Sequence, residues 1–253
     1  MTVNELYEKF NEKIPESLSE QWDNDGLMCC ADGTQEVSRV LVTLDVTDEI
    51  VDYAISSHFD LIISHHPLIF RPLSALTEEN HVARKVIKLL TSAVSVFSFH
   101  TRADKVSGGV NDQLAELIGV HEAVPFGEGL LGRIGTVDEE CELEEFVCLV
   151  KQSINADTVR YADAFNSVKK VAVVGGDGKD FVKAAIEAGA DTYVSGRIGY
   201  NLMEEASGLG INLIEAGHFF TEQPVTDFFV DLVSEFDPDI YVETVDSNAI
   251  KVI

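Results

Sequence analysis

Apolar positions along this chain come in short runs whose spacing switches between that of helices and that of strands. Thr2 and Glu5 have capping-box spacing and Pro15 closes the pattern, so a helix is expected over residues 2–13. Short apolar strands over 27–31 and 39–45 flank the turn Asp32-Gly33, and a helix over 47–57 follows. Leu61-Ile62-Ile63-Ser64 is an apolar, partly β-branched run that reads as a buried strand and stops at His65-His66-Pro67. Then come a helix over 78–91 with Thr77 as its N-cap, a strand over 94–99, a break at Gly108-Gly109, and a helix over 111–118 closed by Gly119.

A Gly-punctuated stretch from Gly127 to Gly135 opens the second half. The pattern then predicts a helix over 142–154, a strand over 170–174 running into Gly175-Gly176-Asp177-Gly178, and a helix from 179 to Gly189. A strand over 191–195, a helix over 198–206 and a strand over 211–215 follow. Val225, Phe228, Phe229, Leu232, Val233 and Phe236 fall at helical spacing in a helix over 223–235, and Pro238 precedes a last strand over 240–245. Strands alternating with helices place the chain in the α/β class.

The two halves, 1–126 and 127–253, match without a gap over a long stretch. Val40-Leu41-Val42 aligns with Val171-Ala172-Val173, Ala54-Ile55 with Ala185-Ile186, Asp60 with Asp191, and Ile63-Ser64 with Val194-Ser195, all at one offset. Each copy reads as a βαβ unit. After a shift in offset, His100-x-x-x-Asp104 parallels His218-x-x-x-Glu222, and a His and a carboxylate four apart share one face of a helix. At the corner after the second strand the copies diverge, His65-His66 facing Gly196-Arg197.

This places the candidate chemistry at strand ends, where α/β proteins put ligands. His65, His66, Asp104, His218 and Glu222 give three imidazoles and two carboxylates, a set suited to Zn, Fe, Mn or Co. Adjacent strand residues point opposite ways, so His65 and His66 serve one centre only if the chain turns there or if each holds a different ion. Gly175-Gly176-Asp177-Gly178 lacks both the Walker lysine spacing and G-x-G-x-x-G, and reads as a structural tight turn in preference to a phosphate cradle. Nothing matches a Ser/His/Asp nucleophile elbow.

Charge narrows the partners. The chain has 44 acidic against 18 basic side chains, a formal net charge of -26, which disfavours nucleic acid and anionic membranes. Local cations such as Arg102, Lys105 or Arg197 would have to meet any anionic substrate. No apolar run approaches a membrane span, and Met1-Thr2-Val3-Asn4-Glu5 lacks a signal-peptide layout, so a cytoplasmic address is expected. Cys29, Cys30, Cys141 and Cys148 form no C-x-x-C pair and read as reduced, buried residues.

With these residues in place, the chain resembles the Nif-three-like dinuclear-metal hexamer family, the GTP cyclohydrolase I type 2 homologues. The matching pieces are Trp22-Asp23-Asn24-x-Gly26-Leu27, Asp60 to Leu68, His100-Thr101-x-x-Asp104, Gly108 to Asp112, Gly175 to Gly178, and Gly217-His218-Phe219-x-Thr221-Glu222. The resemblance implies two intertwined α/β halves related by internal duplication and a toroidal homohexamer. Longer members carry an inserted domain, and this chain looks like the short form. Two divalent ions per subunit (Zn, Fe or Mn) are implied on His65, His66, Asp104, His218 and Glu222, with a carboxylate bridging them, and His100 is left as a candidate general acid/base. Gly196-Arg197 and Asn201 depart from the family pattern, which has Gly-Asp or Gly-Glu and often a histidine four residues on. Two functions follow: metal-dependent hydrolysis of a small anionic substrate, or a non-catalytic ring that stores, delivers or scaffolds.

Overall fold

Helix α1 (Val3–Lys13) begins where the sequence places it, because Thr2 and Glu5 form a reciprocal capping box: Glu5 N–H donates to Thr2 Oγ1 and Thr2 N–H to the Glu5 carboxylate. It buries Val3, Leu6 and Phe10. Next come β1 (Gly26–Cys29), β2 (Arg39–Thr43), α2 (Asp48–Ser56) and β3 (Leu61–Ser64), then α3 (His81–Thr91), β4 (Ser95–Ser98) and the short α4 (Thr101–Lys105). Helix α3 starts later than expected. Its N-cap is Asn80, whose side-chain oxygen accepts from both Val82 N and Ala83 N, while Thr77 supplies only a backbone carbonyl to the preceding turn.

The chain continues through α5 (Val110–Leu117), β5 (His121–Phe126), β6 (Gly132–Cys141), α6 (Leu143–Ser153) and β7 (Arg160–Ala162). Then follow β8 (Val168–Asp177), α7 (Val182–Glu187), β9 (Thr192–Arg197), α8 (Tyr200–Leu209), β10 (Asn212–Glu215), α9 (His218–Glu222), α10 (Val225–Phe236) and β11 (Tyr241–Thr244). The computed structural model describes residues 1–251. It divides into two units that are not contiguous in sequence: Met1–Val106 with Val225–Ala249, and Ser107–Pro224 with the C-terminal residues from Ile250.

The first unit holds a five-stranded sheet in the order β1-β4-β3-β2-β11, with β1 antiparallel at its edge and the other four parallel. Every residue of β3 is buried, as the apolar run predicted, because helices cover both faces of a parallel sheet. Ile50, Val51, Val86 and Leu89 pack on Leu41, Ile62 and Val96 on one side. On the other, Phe10 stacks on Phe99, which in turn meets Phe229 of α10.

The second unit holds a six-stranded sheet in the order β5-β6-β8-β9-β10-β7, parallel through β8, β9 and β10 and antiparallel elsewhere. Three of its strands, β5, β6 and β7, fall where the apolar pattern gave no strand. In β6 the glycines look like breaks, yet a Cβ at Gly132 would strike the Phe126 ring and one at Gly135 the His121 carbonyl, so close approach of β5 demands glycine there.

The two sheets share local details. Val40 stands opposite Leu61 on parallel strands, and Val171 opposite Thr192. The Asp60 carboxylate accepts from the amides of Ser38 and Arg39, and the Asp191 carboxylate from those of Lys169 and Lys170. Among the described residues, no helix is long and apolar enough to cross a membrane.

Candidate metal centre

In the first unit the candidate ligands sit just past the C-terminal ends of β3 and β4. The strand hydrogen bonding of β3 ends at Ser64, and the chain bends there, so the alternation of a strand no longer separates His65 from His66. The bend is pinned. Ser64 Oγ donates to the His66 carbonyl and lies 2.8 Å from Ser98 Oγ, while His66 N–H donates to Leu44 O. The His65 and His66 rings come within 5.0 Å centroid to centroid, and that of His100 lies 5.3 and 5.7 Å from them. One ring nitrogen from each of the three lies within 4.8 Å of the other two.

Each imidazole is held through its Nδ1. His65 Nδ1 lies 2.9 Å from Phe99 O, His66 Nδ1 2.8 Å from an Asp45 carboxylate oxygen, and His100 Nδ1 2.9 Å from an Asp23 carboxylate oxygen. A carbonyl and an ionised carboxylate only accept, so the proton in each neutral ring belongs on Nδ1 and the lone pair on Nε2. Such outer partners fix the tautomer and orientation of metal-binding histidines. His65 Nε2 stands 3.6 Å from Asp104 Oδ1, on α4.

Asp23 is the firmest of these anchors. Its side chain has no exposed surface, and it accepts from His100 Nδ1, from Thr101 N at 3.0 Å and from Thr101 Oγ1 at 2.6 Å. Burial alone would push its carboxyl up, but the His100 bond and charge and the Thr101 donors hold it below the ordinary carboxylate range. Burial likewise disfavours the charged form of His100, yet the Asp23 bond and the Asp104 and Asp23 charges outweigh it and raise the ring above the ordinary histidine value.

Two cations expected to meet substrate are engaged elsewhere. Arg102 is fully buried, ion-paired with Asp25 at 3.1 Å, bonded to Asn11 Oδ1 and Ile14 O, and stacked on Phe99. Lys105 pairs with Glu20 at 2.5 Å. Arg197 is exposed and lies 3.6 Å from Asp177.

In the second unit, His218 and Glu222 occupy one face of α9, as their spacing predicted, with His218 Nε2 2.9 Å from Glu222 Oε2. Glu222 is buried and His218 half-exposed. The glycines of β8 and β9 make room for this helix. A Cβ on Gly176, whose φ is +66°, would collide with the Glu222 carboxylate, and one on Gly196 would come 2.6 Å from Thr221 Oγ1. The amides of Gly175-Gly176-Asp177-Gly178 do not form an anion nest: Gly175 N–H donates to Asn111, Gly176 N–H to Thr221 Oγ1, and Gly178 N–H to Ser195 Oγ and Arg197 O. The segment is the end of β8 packed against α9, not the tight turn that its glycines suggested, and it forms no phosphate cradle.

Sequence reasoning singled out His65, His66, His100, Asp104, His218 and Glu222. It gave no role to Asp23 or Asp45, which orient two of the rings. Asp23 sits in the Trp22-Asp23-Asn24 motif, so its position was marked; Asp45 lies in an ordinary loop and carried no signal.

Nitrogen and carboxylate donors, fixed in orientation and gathered at strand ends, fit a divalent transition ion. The fold and these residues define an α/β protein with metal-type donor groups. The chain belongs to the Duf34/NIF3 (NGG1p interacting factor 3) family, whose model matches residues 1–251. It is 34% identical over 232 residues to the Clostridium perfringens protein named GTP cyclohydrolase 1 type 2 homolog, covering 89% of this chain and 88% of that one. A Staphylococcus aureus hypothetical protein of known structure superposes with a TM-score of 0.88 at 27% identity, over 100% of this chain and 99% of that one. Reduced HcgD from Methanocaldococcus jannaschii superposes with a TM-score of 0.85 at 26% identity, over 96% and 97% of the respective chains.

Proposed function

We propose that the chain is a two-metal protein, with His65, His66, Asp104, His218 and Glu222 as ligands, and that it hydrolyses a small anionic substrate. The observation that carries the reading is that the His65 and His66 rings are each oriented through Nδ1, by Phe99 O and by Asp45, as outer partners orient metal-binding histidines, with the His100 ring anchored beside them by Asp23. The sequence repeat supports joining the two ligand sets. His100-x-x-x-Asp104 and His218-x-x-x-Glu222 follow equivalent strands, and the shared registers and the Asp60 and Asp191 bonds are what a duplicated unit produces.

When bound, divalent ions polarise a carbonyl or phosphoryl oxygen and lower the pKa of a water toward neutrality. The chain's own groups do the rest. His100, its Nδ1–H held by Asp23, presents Nε2 as the atom that accepts a proton from the attacking water and returns it to the leaving group. Asp45 keeps the ring of His66 in one orientation. The name carried by the Clostridium perfringens relative makes a purine nucleotide the first substrate to try. Assembly into a ring of six belongs to the same proposal and is read by light scattering at moderate salt, where a clean monomer mass refutes it.

The test is a turnover screen of nucleotides, cyclic amides and phosphoesters on protein loaded with Mn, Fe or Zn. Metal-dependent turnover that His66→Ala abolishes supports the hydrolase. Metal retained without turnover on the whole panel contradicts it and leaves a storage or delivery role.

A further inference from the structure

Beside the three histidines stand two exposed aromatic rings that the metal chemistry does not use. Trp22 is 62% exposed and Phe70 43%. Their centroids are 6.2 Å apart, and each is also 6.2 Å from the His100 ring. The planes meet at 69°, 78° and 87°, so the three rings stand like the walls of a corner. A flat ring laid against one wall turns its edge to the others, and both contacts are favourable for aromatic quadrupoles.

The corner is pre-organised. Asp23, next to Trp22, is fastened to His100 and Thr101 by three hydrogen bonds. Asn24 reaches across and donates its side-chain amide to Ile69 O, tying the Trp22 loop to the residue before Phe70. The loop that fixes the His100 tautomer therefore also fixes the aromatic walls, and little conformational freedom remains to be lost when a ligand enters. Apolar ring surface kept open in this way beside a donor cluster serves ligand contact better than it serves the fold.

We propose that Trp22 and Phe70 are specificity-determining residues that select a substrate with a planar aromatic ring joined to an anionic oxygen group. This rests on the metal reading above: the oxygen group goes to the ions and the ring to the corner. Neither residue touches the reacting atoms; each positions the ring, and so the group attached to it.

The test compares phenylphosphonate with methylphosphonate on the metal-loaded protein by calorimetry, two probes with the same head group that differ only by a ring. Metal content is measured first in every sample. Aromatic contacts worth about 0.5–1.5 kcal/mol predict a preference of roughly two- to thirteenfold for phenylphosphonate. Because Trp22 is the sole tryptophan, its fluorescence should change with phenylphosphonate at the same midpoint. Trp22→Ala and Phe70→Ala should each remove most of the preference while methylphosphonate affinity and metal content stay unchanged. Phe70→Leu, which keeps apolar bulk without a ring, replaces Phe70→Ala if the latter alters metal content. Equal affinities in the wild type, a preference that survives both substitutions, or no binding of either probe to fully loaded protein overturns the inference and leaves the metal reading standing. A wild type that takes up no metal overturns both.

Discussion

Asp23→Asn is the most informative single change, because Asp23 is a buried acceptor for four donors, the Asn24 amide among them, and an Asn cannot replace it. The side chain has no exposed surface and receives His100 Nδ1–H, Thr101 N–H and Thr101 Oγ1–H. In Asn, one carboxylate oxygen becomes an NH2 group, so either the His100 proton or the Thr101 pair faces a donor. Losing one charged acceptor costs about 1.5–3 kcal/mol. At about 2–4 °C per kcal/mol for a chain of this size, Tm should fall by roughly 3–12 °C. The pH dependence is equally specific. The folded-state pKa of Asp23 is depressed, so its contribution is present above the ordinary value near about 3.9 and is lost as pH falls through the folded-state value. His100 is raised, so its contribution is full below about 6.5 and fades as pH rises through its folded-state value. Thermal melts of chelator-treated wild type and variant should therefore show the widest gap between about pH 4 and 6.5, narrowing on either side. A variant that melts with the wild type throughout, or a gap that keeps widening into acid, refutes the reasoning.

Gly176→Ala combines a φ of +66° with a Cβ directed into the Glu222 carboxylate, so it should cost about 1–2 kcal/mol from the backbone alone and lower metal retention, read by Tm and metal analysis. Asp45→Ala should release the His66 ring and weaken metal affinity by about 10–100-fold, measured by chelator competition; unchanged affinity contradicts its orienting role. Cys148 is exposed and should react first with a thiol reagent, while Cys29, buried and with its thiol pushed up to about 12, should react only on unfolding. Glu222→Ala should lower metal content by more than one ion per chain if its carboxylate serves both; two ions retained contradicts that role.

The sequence was most legible where one physical signal acted alone. The continuous apolar run of β3 needs a two-sided buried strand, and the Thr2/Glu5 pair names a helix start; both are present. Helical spacing also placed His218 and Glu222 on one face of α9. Legibility failed where tertiary contact overrode local pattern. The glycines of β6 read as breaks because the tight approach of β5 that requires them is a long-range fact. Asn80 outcompeted Thr77 as a cap through two simultaneous bonds that spacing does not reveal. Arg102 looked available for substrate because nothing local announces its buried pairing with Asp25. The orienting role of Asp45 was invisible for the same reason, since its partner His66 is distant along the chain.

The central claim, that these histidines and carboxylates hold divalent ions, is tested most directly by metal analysis of purified wild-type protein and of His66→Ala, each loaded with Zn, Mn or Fe and then desalted. The account predicts two ions per chain in the wild type and a clear loss in the variant at unchanged fold, checked by circular dichroism. A wild-type protein that retains no ion, or a variant that retains as much as the wild type, would contradict it.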